Sequence, residues 1–274
     1  MVLCDAKGSF IWQSFDHPTD TLLVGQSLWL SGPTELVRRA STKYKYNGSS
    51  GLVMERRRLA IVLKNVTFYS SPEYNDESST YDLAFNYKVV DGSTSGSAKI
   101  ARLKYNANQS FLWLEIDGNL RVYTYDNKVD WDASEVTFTL FAMDSPHAIW
   151  DTECHLPQRC GDFGLCADNQ CVACPTPNGL LGWTEKCNLL PVTTFCGASN
   201  VKYYMLEGVD HFMSKYAKGD GPMELGMCKG RCTKDCKCLG YFYHMETSRC
   251  WIAYGLKTIT RSENSTHLGF IRYI

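Results

Sequence analysis

The sequence predicts a mainly β protein in two parts, a cysteine-poor first half and a disulfide-rich second half. Aromatic and β-branched residues, including 16 tyrosines, 12 phenylalanines and 7 tryptophans, occur in short runs between turn-forming clusters rather than in helical stripes. Twelve of the 13 cysteines lie from Cys154 to Cys250, a density above the roughly 8–10% that marks a disulfide scaffold. A chain of 274 residues has room for two or three domains, each with its own core or staples.

Composition excludes several classes of partner. The formal net charge is −1, from 28 basic and 29 acidic side chains, so no overall field attracts nucleic acid or an anionic membrane. No apolar run reaches the roughly 20 residues that span a bilayer. The cysteine density indicates an oxidising compartment. Four N-glycosylation sequons agree with secretion, and they begin at Asn47, Asn65, Asn108 and Asn264.

The first 30 residues contain the most distinctive string of the chain, Ser9–Leu23. Phe10 and Trp12 are expected on one face of a short strand, and the acidic residues and proline that follow turn the chain. The sequence starts directly with strand-like residues and lacks the basic and apolar regions of a signal peptide. We therefore expect the chain to begin inside a longer domain, and Cys4, the odd cysteine, to lack its partner.

Residues 31 to about 150 are predicted to form short strands separated by turns. Turn signals occur at Asn47–Gly51, Asp91–Gly96 and Asp117–Asn119. Segments such as Tyr81–Val90 and Ala98–Tyr105 have strand composition. No long helical period competes with this interpretation.

A hairpin centred on Asp117 and Gly118 is the best candidate site of this region. Strand alternation predicts an apolar face and a polar face for its two strands. The apolar face takes Leu112, Leu114, Ile116, Leu120 and Val122, and the opposite face takes Glu115, Arg121 and Tyr123. The plain interpretation is an ordinary Asp-Gly hairpin with an ion pair at its surface.

Two further motifs are assigned no site. The arginines at 38–39 and 56–58 raise the alternative of a surface for an acidic polysaccharide, but alternation divides the triplet between two faces and favours solvated strands. Gly92–Gly96 resembles a nucleophile elbow only superficially, because its centre is threonine and it lies in a polar turn. We interpret it as a loop.

Six cysteines lie close together from Cys154 to Cys187, and spacing alone does not choose among their many pairings. A zinc site at Cys171 and Cys174 would need a second pair with matching spacing. A thioredoxin-like motif would need a βαβ context. The sequence offers neither, so we predict no metal and no cofactor.

The second set of cysteines surrounds a predicted helix. Gly221–Glu224 has the features of a helix start, since proline favours the first turn. Cys228 and Cys232 then lie four residues apart on one helical face and point together at a sheet. Cys196, Cys236, Cys238 and Cys250 complete the set.

Three segments carry a family resemblance. Trp12–Leu23 matches the W-Q-S-F-D-x-P-T-D-T-L-L segment that closes the bulb-type lectin domain of plant S-locus glycoproteins and their receptor-kinase relatives. Val24–Leu28, which follows, is most similar to the kinase-less, epidermis-specific secreted glycoprotein branch. Cys160–Cys166 resembles the C-G-x-x-G-x-C of the EGF-like module in this family, and the set from Cys196 to Cys250 resembles a PAN/apple module.

The resemblance implies a domain order. It implies a remnant of a first bulb-lectin domain at 1–30, a second, degenerate lectin-like β-prism at 31–150, an EGF-like module at 151–190 and a small α+β PAN/apple module at 191–274. The body of the first lectin domain would then be absent, and residues 1–30 would be partly exposed or packed on the next domain.

The resemblance also implies the disulfide pairs. In the EGF-like module it pairs Cys154 with Cys166, Cys160 with Cys171, and Cys174 with Cys187. In the PAN/apple module it pairs Cys228 with Cys250, Cys232 with Cys238, and Cys196 with Cys236. Residues 238–242 and 250–252 would be adjacent strands.

The family resemblance also implies a mannose-binding site at the hairpin. Family pockets use glutamine, aspartate, asparagine and tyrosine side chains, which donate and accept hydrogen bonds. The residues at the corresponding positions here are Glu115, Asp117, Asn119 and Tyr123, of which the last three match the family. Glu115 replaces the glutamine and cannot donate when ionised, while Arg121 replaces a small apolar residue and either fills the pocket or neutralises Glu115.

The sequence favours a binding protein over an enzyme. Its six histidines are widely scattered, and no phosphate loop or nucleophile motif accompanies them. The leading hypothesis is a secreted glycoprotein of the plant cell wall or surface that binds mannose-like glycans or protein partners. The alternative is an interaction protein without lectin activity, such as a decoy co-receptor or a cell-wall component. The oligomeric state is not predicted.

Overall fold

The computed structural model describes residues 1–29, 33–40, 47–55, 59–63, 66–70, 82–84, 110–126, 133–142, 152–184, 187, 195–196 and 200–273. The chain divides into two compact units, Met1–Phe141 and Ala142–Ile274. Several predictions lie wholly or largely outside the described residues: the sequons at Asn65 and Asn108, the arginines at 56–58, the loop Gly92–Gly96, and the strands expected at Tyr81–Val90 and Ala98–Tyr105. Asn47 and Asn264, which begin the other two sequons, are exposed.

The first unit is built from short strands and one turn of 3-10 helix, Ser14–Asp16. Its described strands are β1 (Val2–Cys4), β2 (Phe10–Gln13), β3 (Thr21–Leu23), β4 (Ser27–Trp29), β5 (Glu35–Arg39), β6 (Asn47–Met54), β7 (Leu59–Leu63), β8 (Val66–Ser70), β9 (Asp82–Ala84), β10 (Ser110–Leu114), β11 (Leu120–Asp126) and β12 (Ala133–Thr139).

These strands form antiparallel sheets. Two sheets have four described strands each, in the orders β12-β11-β10-β3 and β5-β6-β7-β8. Two pairs, β1-β2 and β4-β9, make smaller sheets. The mainly β fold class is confirmed, and all-antiparallel sheets are those from which a β-prism is built.

Strand alternation determines the core of the first unit. In β10 the side chains of Ser110, Leu112 and Leu114 are buried, while Phe111 and Trp113 between them are partly exposed. Fully buried leucines and isoleucines come from several sheets, and each contributes roughly 1.5–3 kcal/mol relative to exposure. They are Leu22, Leu28, Leu36, Leu52, Ile61, Leu112 and Leu114.

One residue of the predicted apolar face is placed differently. Leu112, Leu114, Leu120 and Val122 are buried as expected, but Ile116 is 38% exposed. It lies in the turn beyond the end of β10, where the period of two no longer applies. The prediction for Ile116 is therefore wrong.

The first 29 residues divide into an exposed hairpin and two integrated strands. The β1–β2 hairpin leaves Phe10 70% and Ile11 63% exposed, and Cys4 is an exposed free thiol. By contrast, β3 pairs with β10 and β4 pairs with β9. The strands at 21–23 and 27–29 thus belong to sheets that later segments complete.

The second unit combines strands, two helices and a 3-10 turn, Glu153–His155. Its described elements are β13 (Phe163–Ala167), β14 (Gln170–Thr176), β15 (Gly179–Gly182), β16 (Lys202–Glu207), β17 (Val209–His211), α1 (Met213–Tyr216), α2 (Leu225–Lys234), β18 (Gly240–His244), β19 (Arg249–Ala253), β20 (Lys257–Arg261) and β21 (His267–Tyr273). No helix of the described part of the chain is long and apolar enough to cross a membrane.

Two sheets organise this unit, in the orders β15-β14-β13-β20-β17 and β16-β21-β18-β19. The pair β13–β20 is parallel. Parallel neighbours need a long crossover connection, and here the connecting chain includes both helices.

Hydrogen bonds of Thr258 connect the cysteine-rich segment to β20. Thr258 is fully buried, and its hydroxyl accepts the backbone N–H of Cys160 at 3.1 Å and donates to the carbonyl of Pro157 at 3.2 Å. Phe163 and Leu165 of β13 belong to the same buried cluster as residues of β18, β20 and β21. The modules predicted at 151–190 and 191–274 thus share a sheet and a core, while their bounds stay a prediction.

Six disulfides staple the second unit, and each joins partners that the family resemblance implies. They are Cys154–Cys166, Cys160–Cys171, Cys174–Cys187, Cys196–Cys236, Cys228–Cys250 and Cys232–Cys238. Helix α2 begins at Leu225, just after the predicted start, and its Cys228 and Cys232 are fully buried.

A buried arginine closes the end of α2. Arg272 of β21 is 3% exposed and donates to the carbonyls of Asp235 at 2.8 Å and Cys238 at 3.2 Å. It also reaches Cys232 and Thr233 of the last helical turn. A cation stabilises a helix C-terminus because the last carbonyls carry partial negative charge.

Thr258→Val should lower the free energy of unfolding by about 1–3 kcal/mol, because valine keeps the shape but leaves the buried N–H of Cys160 without an acceptor. Thr258→Ser is the matched control, since it keeps the hydroxyl and removes only a methyl group. Denaturant unfolding of the full chain measures both. Equal stability of the two variants would show that the hydroxyl of residue 258 does not stabilise the fold.

Candidate binding site on the first unit

The predicted hairpin is present and has a tight turn. The N–H of Gly118 donates to the carbonyl of Glu115 at 3.0 Å, and the N–H of Glu115 donates to the carbonyl of Asn119 at 2.9 Å. Gly118 has a φ of +89°, which glycine adopts without a steric penalty. Asp117 Oδ1 accepts the N–H of Asn119 at 2.8 Å and holds the turn.

Four side chains of this hairpin form what we call the hairpin cluster: Glu115, Asp117, Arg121 and Tyr123. Arg121 Nη1 lies 2.9 Å from Glu115 Oε2, and Arg121 Nη2 lies 3.0 Å from Asp117 Oδ2. The hydroxyl of Tyr123 donates to Glu115 Oε1. Arg121 therefore neutralises both carboxylates, which is one of the two roles that the sequence allowed.

Burial and Glu115 control the tyrosine of the cluster. Burial of the ring, together with the hydrogen bond to Glu115 and its negative charge, raises the pKa of Tyr123 to about 12. The phenol thus stays protonated at physiological pH and acts as a donor to the carboxylate. That donor is already used within the protein.

Asn119 does not join the cluster. Its side chain is fully buried, and Nδ2 donates to the carbonyl of Phe141 at 3.0 Å. Its Oδ1 accepts the N–H groups of Leu120 at 2.9 Å and Phe141 at 3.1 Å. The structure therefore brings together Glu115, Asp117 and Tyr123 of the predicted site and directs Asn119 into the interior.

Asp20 is a buried acidic residue that the sequence indicates only as part of a turn. It is 2% exposed, and its Oδ2 lies 2.6 Å from Nε of Arg39 and 3.3 Å from the indole nitrogen of Trp113, which donates to it. Only the clustering of Asp20 with two threonines in the first motif hinted at a special role, because its partners are distant in sequence.

Arg38 and Arg39 do not form the polyanion surface considered from the sequence. Arg38 is buried and donates to the carbonyl of Ile116 at 2.6 Å, and Arg39 pairs with Asp20. Both arginines thus have partners within the first unit.

Next to the hairpin cluster, the sheet β12-β11-β10-β3 presents what we call the outer face, made of Leu23, Phe111, Trp113, Tyr123 and Val136. The rings of Phe111 and Tyr123 are stacked with centroids 5.3 Å apart, and Trp113 lies 5.8 Å from Tyr123. Leu23 is 45% and Val136 is 42% exposed. The sheet buries Leu112 and Val122 on its opposite side.

Comparison with known proteins identifies relatives over nearly the whole chain. It is 40% identical to EP1-like glycoprotein 3 of Arabidopsis thaliana, over 94% of this chain and 62% of that protein. The chain is a homologue of the EP1-like glycoproteins. This confirms the resemblance to the S-locus and epidermis-specific glycoprotein branch.

Two further relatives extend the comparison. The epidermis-specific secreted glycoprotein EP1 of Daucus carota is 41% identical over 71% of this chain and 59% of its own length. A G-type lectin S-receptor-like serine/threonine-protein kinase of Arabidopsis thaliana is 26% identical over 99% of the chain but only 32% of the kinase. No family model matches the chain. The chain spans about three fifths of the length of the EP1-like relatives that it matches.

Asn119→Ala should lower the free energy of unfolding by about 1–3 kcal/mol, because it removes the hydrogen bonds of a fully buried amide to the main chain of Leu120 and Phe141. Asp117→Asn is the matched control within the same turn. It keeps the acceptor for Asn119 and leaves Arg121 paired with Glu115, so a smaller loss of stability is expected. Thermal and denaturant unfolding measure both variants, and a stable Asn119→Ala protein would contradict the internal role.

Proposed function

We propose that this chain is a secreted, non-enzymatic glycoprotein of the lectin type that binds a partner protein through the outer face. Its six disulfides fit an oxidising compartment. The carrot relative is named a secreted glycoprotein, and the more distant kinase relative is named a G-type lectin. The names of the Arabidopsis EP1-like relatives denote glycoproteins.

The observation that carries the proposal is the internal pairing of the hairpin cluster. A mannose hydroxyl would have to replace the ion pairs of Arg121 with Glu115 and Asp117, or the hydrogen bond from Tyr123. Charge-assisted hydrogen bonds are roughly twice as strong as those between neutral groups, so a neutral sugar competes poorly. Asn119 offers no polar atom to a ligand, because its side-chain nitrogen and oxygen are hydrogen-bonded to the backbone.

The outer face has the composition of a protein interface. Aromatic side chains and arginine are enriched at the centres of such interfaces, and polar groups form the rim. Here Phe111, Trp113 and Tyr123 lie beside the exposed Leu23 and Val136. Arg39, which is 48% exposed and pairs with the buried Asp20, and the hairpin cluster supply charged groups beside this face.

One observation favours a second candidate, a glycan bound on the same face. The ring pair Phe111–Tyr123 and the neighbouring Trp113 lie close to carboxylates, and ligand sites combine aromatic walls with a few polar groups. Such a ligand would depend on the rings rather than on Asp117 and Asn119.

The full chain, secreted from plant cells, should not be retained on a mannose column, and Asp117→Ala should not change this. Retention of the unmodified chain that is lost in Asp117→Ala would overturn the proposal in favour of the mannose site. A glycan array tests the second candidate, which requires binding that is lost in Phe111→Ala and kept in Asp117→Ala.

A photo-reactive amino acid at position 23 should cross-link the chain to a specific extracellular protein, because Leu23 lies on the outer face. The same group at position 180 is the matched control, since Leu180 is 50% exposed in the second unit. An excess of unlabelled chain should compete with the cross-link, and Leu23→Glu in that competitor should abolish the competition. Equal, non-competed labelling at both positions would argue against the outer face.

A further inference from the structure

Three side chains from three strands of the second unit meet at one point. His244 ends β18 and is the direct cross-strand partner of His267, which begins β21. Asp210 lies in β17 of the other sheet. His244 Nε2 is 2.6 Å from Asp210 Oδ1, and His267 Nδ1 is 2.9 Å from Asp210 Oδ2. The histidines are scattered along the sequence, and their cross-strand pairing is not visible in their spacing.

The two imidazole rings are held in a common orientation. They are stacked, with centroids 3.5 Å apart and planes inclined by 7°. The ring of His244 also contacts Trp251, at a centroid distance of 4.4 Å. One nitrogen of each ring therefore faces the same carboxylate without any rotation of the side chains.

Glu246 orients the ring of His267. Its Oε1 lies 2.7 Å from Nε2 of His267, and Glu246 is itself held by the hydroxyl of Thr266. When Nε2–H donates to Glu246, the remaining nitrogen Nδ1 presents a lone pair to Asp210 and to the hydroxyl of Ser262 at 3.2 Å. In the metal-free chain a proton on Nδ1 joins this nitrogen to Asp210, and a metal ion can take the place of that proton.

We propose that Asp210, His244 and His267 bind a divalent transition-metal ion of the zinc class. In this site Glu246 accepts the second N–H of His267 and does not touch the ion. Two imidazole nitrogens and one carboxylate oxygen suit zinc and copper, whereas calcium and magnesium prefer oxygen ligands. A carboxylate that accepts the second N–H of a ligating histidine is the usual outer partner of such sites.

The dimensions fit this ion after a small movement. The ligand atoms all lie within 4.8 Å of one another, and on one zinc ion they would be roughly 3.3 Å apart, since the bonds are about 2.0–2.2 Å long. The side chains of His244, Asp210 and His267 are 14%, 24% and 16% exposed, so solvent and ions have access. Three protein ligands leave a fourth position for water.

The position of the site gives the ion a structural role. Asp210 belongs to the sheet β15-β14-β13-β20-β17, and the two histidines belong to the sheet β16-β21-β18-β19. A bound ion would therefore connect the two sheets. Because the ligands are far apart in the unfolded chain, binding stabilises the folded state.

Isothermal titration of the full chain with zinc chloride at neutral pH tests the proposal. We expect one zinc ion per chain. Cys4→Ser should bind the same single ion, which excludes the exposed free thiol as the ligand, and His17→Gln controls for binding by an exposed histidine of the first unit. An unmodified chain that binds no zinc overturns the proposal.

Substitutions then locate the ion. His244→Gln and His267→Gln should each abolish the single zinc site, and Glu246→Gln should weaken it by about tenfold to a hundredfold. Zinc binding at the affinity of the unmodified chain in both histidine variants overturns the assignment. Unchanged affinity in Glu246→Gln overturns the outer role of that residue.

A readout on the unmodified chain keeps the test independent of variants that fail to fold. Its melting temperature should rise with added zinc, fall back on addition of a chelator, and not respond to calcium or magnesium. A melting temperature that is insensitive to zinc, or that rises equally with calcium, contradicts the site.

Discussion

The second unit depends on one strand, Lys257–Arg261. It hydrogen-bonds in parallel with Phe163–Ala167 on one side and antiparallel with Val209–His211 on the other. Thr258 and Thr260 add side-chain bonds to the carbonyls of Pro157 and Cys154. The segment around Cys154–Cys187 is too small to build a sufficient apolar core, so disulfides and this shared strand together give it a defined position.

Several interior polar side chains of both units bond to the main chain. Asn119 pairs with Phe141, Thr258 with Cys160 and Pro157, and Arg272 with the carbonyls at the end of α2. A buried polar group without a partner costs more than a typical hydrogen bond contributes. These side chains therefore fix the register of neighbouring segments. The same chemistry makes asparagine or arginine ambiguous in a sequence, where it indicates a ligand site and a structural bond equally well.

This ambiguity separates what the sequence could predict from what it could not. The strand composition, the Asp117–Gly118 turn and the helical spacing of Cys228 and Cys232 are local, and the fold agrees with them. The disulfide partners followed from the family resemblance, since spacing left them open. The pairing of β13 with β20 joins strands that are distant in the chain, and no local pattern encodes such a register. Asn119 precedes β11, so alternation did not reveal its inward direction.

Two clusters of similar composition differ in what they can bind, and the cation explains the difference. In the hairpin cluster the partner of both carboxylates is Arg121, whose guanidinium has no lone pair and keeps its charge at any physiological pH. The carboxylates of the hairpin cluster are therefore paired without a bound ligand. In the second unit the partners of Asp210 and Glu246 are imidazoles, and an imidazole nitrogen exchanges its proton for a metal ion. The arginine therefore prevents the hairpin cluster from binding a metal ion, whereas the histidines allow the cluster of the second unit to bind one.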